Sequence, residues 1–488
     1  MTNAAPTELS LDPENWSELR NQGHRMLDDM FDYIADVRKR PVWQAIPSAI
    51  REGFQTAVPM SPSPLQDVYD EFTRSIAPYA TGNVHPGFMG WVHGGGTAVG
   101  MLAEMLAAGL NANLGGRDHM PIVVEEQIVA WTRSLFGFPD SASGLFVTGT
   151  SMANFIALLV ARTRALGSEV RRSGLTEDAS DLRAYTSKAA HGCLAKAFDM
   201  AGFGTDALRV IGTDRLHRID VLALSDAIER DRRSGLTPFL VIGTAGTVDA
   251  GAIDDLNALA DLCAREGLTF HVDGAYGALG MMSPEIAPRL AGIGRADSIA
   301  FDFHKWAQVP HDAGFILVRD EELHRAAFSS PATYLRRDVR GLAGGSFWPC
   351  DYGPDLSRGF RALKTWFTLK TYGTERLGAM MAQTCEIARH LERRIMAEPQ
   401  LELLAPAQLN IVCFRYRSDD ANSLNADIVA ALQESGIAAP SATTIDGQIA
   451  IRAAIFNHRT RSTDVDAMID AVLDYANRDQ RGTVRSAA

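Results

Sequence analysis

A lysine that follows an apolar run is the residue of this chain best suited to covalent chemistry. Residues 298–303 are β-prone and predict a buried strand with His304 and Lys305 at its carboxyl end. Open α/β sheets place their reactive groups at that edge. Burial beside aromatic side chains would favour the neutral amine, which forms a Schiff base with a carbonyl group. Since a lone lysine at a strand end more often reaches solvent, this interpretation depends on partner residues elsewhere in the chain.

Three other positions could act together with the lysine. Thr150 and Ser151 follow a glycine turn and open a predicted helix, where they could bind a phosphate or serve only as an N-cap. The spacing is not that of a nucleotide-binding P-loop. His191 follows a predicted strand and could equally be a cap or a core residue. Asp273 ends another predicted strand between small and apolar neighbours, and a buried carboxylate needs a cationic partner.

The order of these groups along the chain suits one kind of cofactor, a phosphorylated pyridine aldehyde. The helix start would hold the phosphate, and the imidazole would stack on the ring. The carboxylate would keep the pyridine nitrogen protonated, and the lysine would bind the aldehyde. Each signal is weak alone, but their joint order is specific.

The elements that must position these groups form an α/β pattern. Strand 239–243, helix 256–266 and strand 268–272 make a βαβ unit, and strand 314–318 follows the lysine. Strands 410–416 and 448–456 with two amphipathic helices predict a small C-terminal α/β domain. At the other end, the amphipathic helices between Pro13 and Ala77 cannot bury their own apolar faces. They must lie on the protein body or on a second subunit.

A long irregular stretch runs from Ser329 to Pro354 and contains Tyr334 and several arginines and glycines. Such stretches inside a regular domain are usually functional, for example as a lid over a site.

Composition excludes several classes of function. The 488 residues carry a net charge of -12 and are 46% hydrophobic, which argues against a nucleic-acid or anionic-membrane surface. The N-terminus lacks the features of a secretory signal and no apolar segment is long enough to span a bilayer, so a cytoplasmic protein is expected. The five scattered cysteines show no CxxC spacing and predict reduced core thiols, with no disulfide frame and no metal site.

Three motifs resemble those of the group II pyridoxal-phosphate decarboxylases, the family of aromatic L-amino-acid decarboxylase. His-Val-Asp-Gly-Ala-Tyr at 271–276 is similar to HVDxAY, His-Lys-Trp at 304–306 to HKW, and Ser-Arg-Gly-Phe-Arg-Ala-Leu-Lys at 357–364 to RxFRxLK. The resemblance implies the α/β architecture called fold type I. An N-terminal helical segment (1–84) would precede a large cofactor domain (85–375) with a mostly parallel seven-stranded sheet and a small domain (376–488). It also implies a homodimer with shared active sites.

The same resemblance implies a role for each motif residue. Lys305 would carry pyridoxal 5'-phosphate, Asp273 would hold the pyridine nitrogen, and His191 would stack on the ring. Tyr334 would return a proton to the α-carbon. The cofactor-binding set is Thr150, Ser151, His191, Thr247, Asp273, Ala275, His304 and Lys305.

The substrate pocket departs from that of the animal aromatic decarboxylases. Trp91, Val92 and His93 stand where those enzymes have Tyr-Phe-Pro, and Asn113 and Gly115 replace an Ile and a Phe supplied by the partner subunit. Ser357 and Arg358 complete the set of expected substrate residues, which are Trp91, Val92, His93, Asn113, Gly115, Ser357 and Arg358. The pocket is therefore expected to be less apolar on one wall, and the amino acid stays open.

The favoured function is decarboxylation of an L-amino acid to carbon dioxide and an amine. Alternatives are an aldehyde synthase, a carbon–carbon lyase, and a non-catalytic cofactor-binding protein. Aldehyde-forming members of the family commonly replace the loop tyrosine, so Tyr334 favours simple decarboxylation. Lys305, Asp273 and His191 disfavour the non-catalytic alternative.

Overall fold

The computed structural model describes residues 10–329, 337–345 and 347–486, and a seven-stranded sheet lies at its centre. The strands of the chain are β1 (Phe88–Met89), β2 (Ser143–Val147), β3 (Leu182–Ser187), β4 (Leu208–Ile211), β5 (Thr237–Thr244), β6 (Thr269–Asp273), β7 (Ser298–Asp302), β8 (Gly314–Val318), β9 (Leu401–Leu403), β10 (Ile411–Tyr416), β11 (Ala439–Ile445) and β12 (Gln448–Ala454). The central sheet has the order β2–β8–β7–β6–β5–β3–β4. Neighbours from β7 to β4 pair in parallel, whereas β8 runs antiparallel to β7 and β2. The predicted mostly parallel α/β sheet is confirmed.

Helices cover the sheet and also make up both terminal parts of the described chain. They are α1 (Trp16–Ala35), α2 (Ser48–Gly53), α3 (Leu65–Ser75), α4 (Ala98–Leu110), α5 (Met120–Phe136), α6 (Thr150–Leu166), α7 (Val170–Ser173), α8 (Cys193–Met200), α9 (Val221–Arg233), α10 (Leu256–Glu266), α11 (Glu321–Phe328), α12 (Arg361–Met396), α13 (Ala421–Ser435) and α14 (Ser462–Ser486). Two helices predicted around residue 373 form α12, which breaks at Gly373 with φ 69°. Within the described residues, none of the helices combines the length and apolar character needed to cross a bilayer.

An aromatic core fixes the strand that leads to the lysine. The Phe301 ring lies 5.1 Å from Phe136 and 5.3 Å from Phe315, and Phe303 lies 5.8 Å from Phe146. All of these rings are buried. Their packing fixes the carboxyl end of β7 in the sheet. His304 and Lys305, which follow Phe303, are therefore attached to a rigid part of the core.

A second sheet has the order β1–β11–β12–β10–β9 and takes all but its first strand from residues 401–454. Its first strand comes from residues 88–89, which pair in parallel with Ala439 and Pro440. Strand β11 is absent from the predictions because Pro440 and small residues interrupt the alternating pattern. Strand β11 therefore contacts the segment that leads to Trp91.

The N-terminal helices leave apolar side chains in solvent. Helix α1 buries only Gln22 among its residues, and a 2.6 Å hydrogen bond from Tyr69 to Asp29 joins α3 to α1. Trp16 is 61% exposed and Val68 is 52% exposed. Within this chain these helices therefore do not bury their apolar faces, as their sequence predicted.

Candidate active site

A cavity of about 340 Å³ opens at the carboxyl ends of β5, β6 and β7. The predicted residues that line it are Trp91, Val92, His93, Thr150, Ser151, His191, Asp273, Ala275, His304 and Lys305. The chain thus brings together groups that are more than 200 positions apart in sequence. A larger cleft of about 920 Å³, near Thr269 and Ser298, lies at the opposite edge of the sheet and holds none of these residues.

Lys305 forms an ion pair with Asp302. Its Nζ lies 2.8 Å from Oδ2, and Oδ1 of Asp302 accepts a 2.7 Å hydrogen bond from the Thr150 N–H. Burial acts to raise the pKa of Asp302, but the Lys305 ammonium and the hydrogen bonds outweigh it and hold this pKa below the ordinary value. Asp302 thus ties the lysine to the start of α6. The sequence offered a signal for this role, since Asp302 ends β7 three residues before Lys305.

His304 lies beside this ion pair as a neutral ring. Its Nδ1 accepts a 3.0 Å hydrogen bond from the Ala313 N–H, and its Nε2 lies 3.7 Å from Asp302 Oδ2. Burial lowers the pKa of His304 to about 4. The neighbouring His311 ring lies 4.3 Å away, and burial also lowers its pKa. These imidazoles contribute polar surface to the cavity without positive charge.

Asp273 offers a buried carboxylate to the cavity. Its Oδ2 accepts a 3.0 Å hydrogen bond from Asn154 Nδ2, and its Oδ1 accepts a 3.1 Å bond from the Ala275 N–H. Both donors are neutral. Burial raises the pKa of Asp273, against the opposing effects of Lys305 and Asn154. A protonated pyridine nitrogen would supply the cation that this buried carboxylate needs.

The start of α6 suits a phosphate. Gly149 precedes the helix and has no side chain to cap it. Asp302 accepts the N–H of Thr150, and the positive end of the helix dipole faces the cavity. The buried Thr150 Oγ1 and Thr244 Oγ1 have no hydrogen-bond partner within the described part of the chain. Exposed Ser151 adds a further hydroxyl. Together with Asp273 and Lys305, these groups fit pyridoxal phosphate.

His191 lines the cavity just before α8. Its Nδ1 accepts a 3.1 Å hydrogen bond from the Cys193 N–H, so in the neutral ring Nε2 carries the proton. The side chain is exposed in this single chain, which leaves the ring face open to a planar ligand.

The structure does not bring Thr247 to the cavity. Its side chain is fully buried, and its Oγ1 accepts a 2.9 Å hydrogen bond from the Ala252 N–H to close a turn. Thr244 and Gly246 line the wall instead. Tyr334 lies outside the described residues.

Arg358 also lies away from the cavity. Its guanidinium is buried, forms an ion pair with Glu125, and donates 2.8 Å hydrogen bonds to the carbonyls of Leu114 and Phe146. A buried guanidinium requires such partners, and here they accept from both terminal nitrogens of Arg358. Ser357 beside it is exposed and does not line the cavity.

Asn113 and Gly115 support the same region. Asn113 Oδ1 accepts 3.0 Å hydrogen bonds from the N–H groups of Gly115 and Arg358. A Cβ at Gly115 would lie 1.9 Å from the Leu356 carbonyl oxygen. Both residues lie away from the cavity of their own chain, and their expected place in a partner's pocket stays a prediction.

The glycines 94–96 permit a close backbone contact with the lysine segment. A Cβ on Gly94 would lie 2.4 Å from the carbonyl oxygens of both His304 and Lys305. The Gly95 N–H donates a 2.9 Å hydrogen bond to Gln308 Oε1. Only glycine allows this approach, which fixes the preceding wall segment against the lysine.

That wall segment presents aromatic rings. The His93 ring stacks 6.1 Å from Trp91 and 5.7 Å from Phe88, and meets His311 edge-on at 5.7 Å. Burial, followed by the influence of His311 and Lys305, lowers the pKa of His93. This side of the cavity is therefore aromatic, with a neutral polar edge.

Known proteins similar to this chain share its architecture. The sequence profile described as pyridoxal-dependent decarboxylase conserved domain matches residues 47–417. An aromatic-L-amino-acid decarboxylase of Bacillus atrophaeus is 33% identical over 92% of this chain and 93% of its own length. A phenylacetaldehyde synthase of Arabidopsis thaliana is 28% identical over 91% and 93%. The crystal structure of Oryza sativa TDC with PLP and tryptamine superposes with a TM-score of 0.88 at 24% identity, covering 96% and 99% of the two chains.

The profile spans well over half of the sequence, and the fold is that of the solved enzymes. The family and the cofactor predicted from the three motifs are both confirmed. This chain therefore belongs to the pyridoxal-dependent decarboxylase family and is an amino-acid decarboxylase that uses pyridoxal phosphate.

Proposed function

We propose that this enzyme decarboxylates an L-amino acid whose side chain is an uncharged ring, and releases the corresponding amine. The observation that carries the proposal is the distribution of charge in the cavity. Among the described lining residues, the charged groups are Lys305, Asp273 and Asp302, and each has a task in holding the cofactor or the lysine. What remains for the substrate is the aromatic wall around Trp91 and His93.

A charged substrate side chain would find no counter-ion among the lining residues that the structure describes. An acidic side chain needs a cation, and the lowered pKa values of His93, His304 and His311 keep these rings neutral. A basic side chain needs a spare carboxylate, which the described lining residues lack. Burying an unpaired charge costs several kcal/mol. A ring stacked on Trp91 incurs no such penalty.

The residues divide the chemistry among them. Bound pyridoxal phosphate supplies an aldehyde that couples to amines and a ring that withdraws electrons from the α-carbon. Lys305 would hold the aldehyde, and Asp273 would keep the proton on the ring nitrogen. His191 would cover the ring face, while the first turn of α6 with Thr150 and Ser151 would bind the phosphate. His304 would orient the Lys305–Asp302 pair through its contact with Asp302.

A substrate panel tests the proposal. The purified holoenzyme would be offered tryptophan, tyrosine, phenylalanine, dihydroxyphenylalanine and histidine, and beside them glutamate, ornithine and diaminobutyrate. We expect kcat/KM for carbon dioxide release to be at least about 100-fold higher for one of the ring substrates than for glutamate, ornithine or diaminobutyrate. The reason is that burying an unpaired charge costs several kcal/mol. A preference for glutamate or ornithine would contradict the proposed substrate class. Cleavage without an amine product would favour the lyase alternative.

After carbon dioxide leaves, the α-carbon needs a proton, and we assign this role to Tyr334 on the sequence resemblance alone. Tyr334→Phe removes the acid and leaves the lysine and Asp273 in place. We expect carbon dioxide release to continue more slowly, with the product shifting from amine toward aldehyde and ammonia as one O₂ is reduced to hydrogen peroxide. Amine, aldehyde and oxygen uptake would be measured together.

Tyr352→Phe is the matched control, because the Tyr352 hydroxyl bonds to Glu321 and does not line the cavity. It should leave the ratio of amine to aldehyde unchanged. If Tyr334→Phe produced amine at the wild-type rate without aldehyde, another group would be the acid.

A homodimer with shared sites is part of the proposal. The exposed apolar residues of α1 and α3 are joined on α4 by Met105, Leu106 and Leu110, which are 45–64% exposed. Such apolar surface is typical of a subunit interface. Helix α4 leads directly to Asn113 and Gly115, the residues expected in the partner's pocket. The cytoplasmic location stays a prediction from the sequence.

A further inference from the structure

Behind Asp273, a chain of hydrogen-bonded polar side chains is buried between helix α6 and one face of the sheet. Asn154, one turn into α6, donates from Nδ2 to Asp273 Oδ2 at 3.0 Å. Its Oδ1 lies 2.9 Å from His271 Nε2, and His271 Nδ1 lies 2.8 Å from Ser298 Oγ. All four residues are at least 96% buried.

The strand geometry explains why these groups meet. His271 and Asp273 are two positions apart on β6, so their side chains leave the same face of the sheet. The parallel register of β6 and β7 pairs His271 with Ser298. Helix α6 packs on that face and brings Asn154 between the two β6 side chains.

The hydrogen bonds can run in one direction only. Since Asp273 accepts from the Asn154 amide nitrogen, the amide oxygen faces His271 and must itself accept. Burial lowers the pKa of His271 to about 4, so the neutral ring has one N–H, and this lies on Nε2. Nδ1 then accepts from the Ser298 hydroxyl. The other tautomer could donate to the Ser298 carbonyl at 3.2 Å, but it would set two acceptors against each other at Asn154.

We propose that His271 is a positioning residue which, through Asn154 and with support from Ser298, keeps Asp273 ionised and aimed at the ring nitrogen of the cofactor. The inference rests on the role proposed for Asp273. The Ser298 hydroxyl, the His271 N–H and the Asn154 N–H donate in sequence, and each hydrogen bond polarises and strengthens the next. The bond from Asn154 to the Asp273 carboxylate is therefore the strongest of the three. Without His271 the amide oxygen of Asn154 would lose its donor, and the amide would be oriented through Nδ2, by Asp273 and by Cys193 Sγ at 3.5 Å.

A second histidine offers a matched control for a purely structural role. His324 on α11 is also fully buried, and its Nδ1 lies 2.8 Å from the Ser143 hydroxyl. Burial lowers its pKa to about 3. It does not line the cavity, so it reproduces the buried Ser–His pair without the link to Asp273.

The test compares His271→Leu, His271→Gln and His324→Leu as holoenzymes. In His271→Leu we expect kcat to fall about 10- to 100-fold with little change in KM, the size of effect seen when a group that orients a catalytic ligand is lost. We also expect the pH-dependent absorbance of the bound cofactor to shift and the affinity of the cofactor-free protein for pyridoxal phosphate to fall about tenfold. His271→Gln, which can donate to Asn154, should restore most of each property. His324→Leu should lower Tm but leave kcat and the absorbance unchanged.

Unchanged kcat and absorbance in a folded His271→Leu enzyme would overturn the inference and leave only a core role. If that variant does not fold, Ser298→Ala removes the hydroxyl that donates to His271, with little loss of volume. We then expect kcat and the affinity for pyridoxal phosphate to fall about two- to fivefold. Absence of any change there would overturn the inference equally. Failure of the proposed function is distinguishable, because turnover would then survive Asp273→Asn itself.

Discussion

Lys305→Ala is expected to abolish amine formation, with turnover reduced by about 10⁴-fold or more, as when an enzyme loses its covalent nucleophile. Lys305 is the one lysine among the described residues of the cavity wall, and Asp302 holds its amine 2.8 Å away at the end of β7. Carbon dioxide release at saturating substrate would measure the loss. Borohydride reduction of the wild-type holoenzyme followed by peptide mass spectrometry should find the cofactor on this residue.

Lys364→Met provides the control for losing a sheltered lysine. Lys364 on α12 is buried and forms an ion pair with Glu104, but it does not line the cavity. That variant should unfold at a lower temperature, still carry the cofactor on Lys305 and keep most of its turnover. A reduced cofactor found on another lysine, or turnover that survives Lys305→Ala, would overturn the assignment.

Asp273→Asn should lower kcat by about 10³-fold while cofactor binding weakens only moderately. The amide keeps the shape of the side chain, but its single oxygen can accept only one of the two hydrogen bonds that Asp273 accepts from Asn154 and Ala275. It cannot provide the negative charge that holds a proton on the ring nitrogen, so the loss falls on the reaction step. Steady-state kinetics with tight-binding titration of the cofactor would separate the two effects.

Asp254→Asn controls for a buried aspartate at the edge of the same sheet. Asp254 accepts 2.7 Å hydrogen bonds from the N–H groups of Ile219 and Thr244, and burial raises its pKa to about 6. It lies outside the cavity, so this variant should change stability and not kcat. Near-normal turnover in Asp273→Asn would mean that the reaction does not require a protonated ring.

Local sequence patterns predicted which functional residues lie at the ends of the strands. Strand 314–318 and helix 256–266 were predicted at their observed bounds, and Lys305 and Asp273 follow β-prone runs that are buried as expected.

Contacts between residues far apart in the chain could not be predicted from local sequence patterns. Arg358 was expected to contact the substrate because residues 357–364 resemble a family motif. Its ion-pair partner Glu125 lies 233 positions away and could not be identified from that motif. Thr247 was expected to bind the cofactor, but its hydroxyl closes a turn by accepting from the Ala252 N–H. Asn154 and His271 acquire their connection to Asp273 only when α6 packs on β6.

The glycine contact at Gly94 has a consequence for how substrate range can diverge or be redesigned. A side chain at that position would collide with the carbonyls of His304 and Lys305, so the backbone there is bound to the reactive lysine. The three residues before it line the cavity and carry side chains without that collision, although Trp91 has a left-handed backbone with φ 49°. One peptide bond thus separates a position that must not vary from positions that can. Libraries at residues 91–93 should therefore retune selectivity while Gly94 keeps the lysine in place.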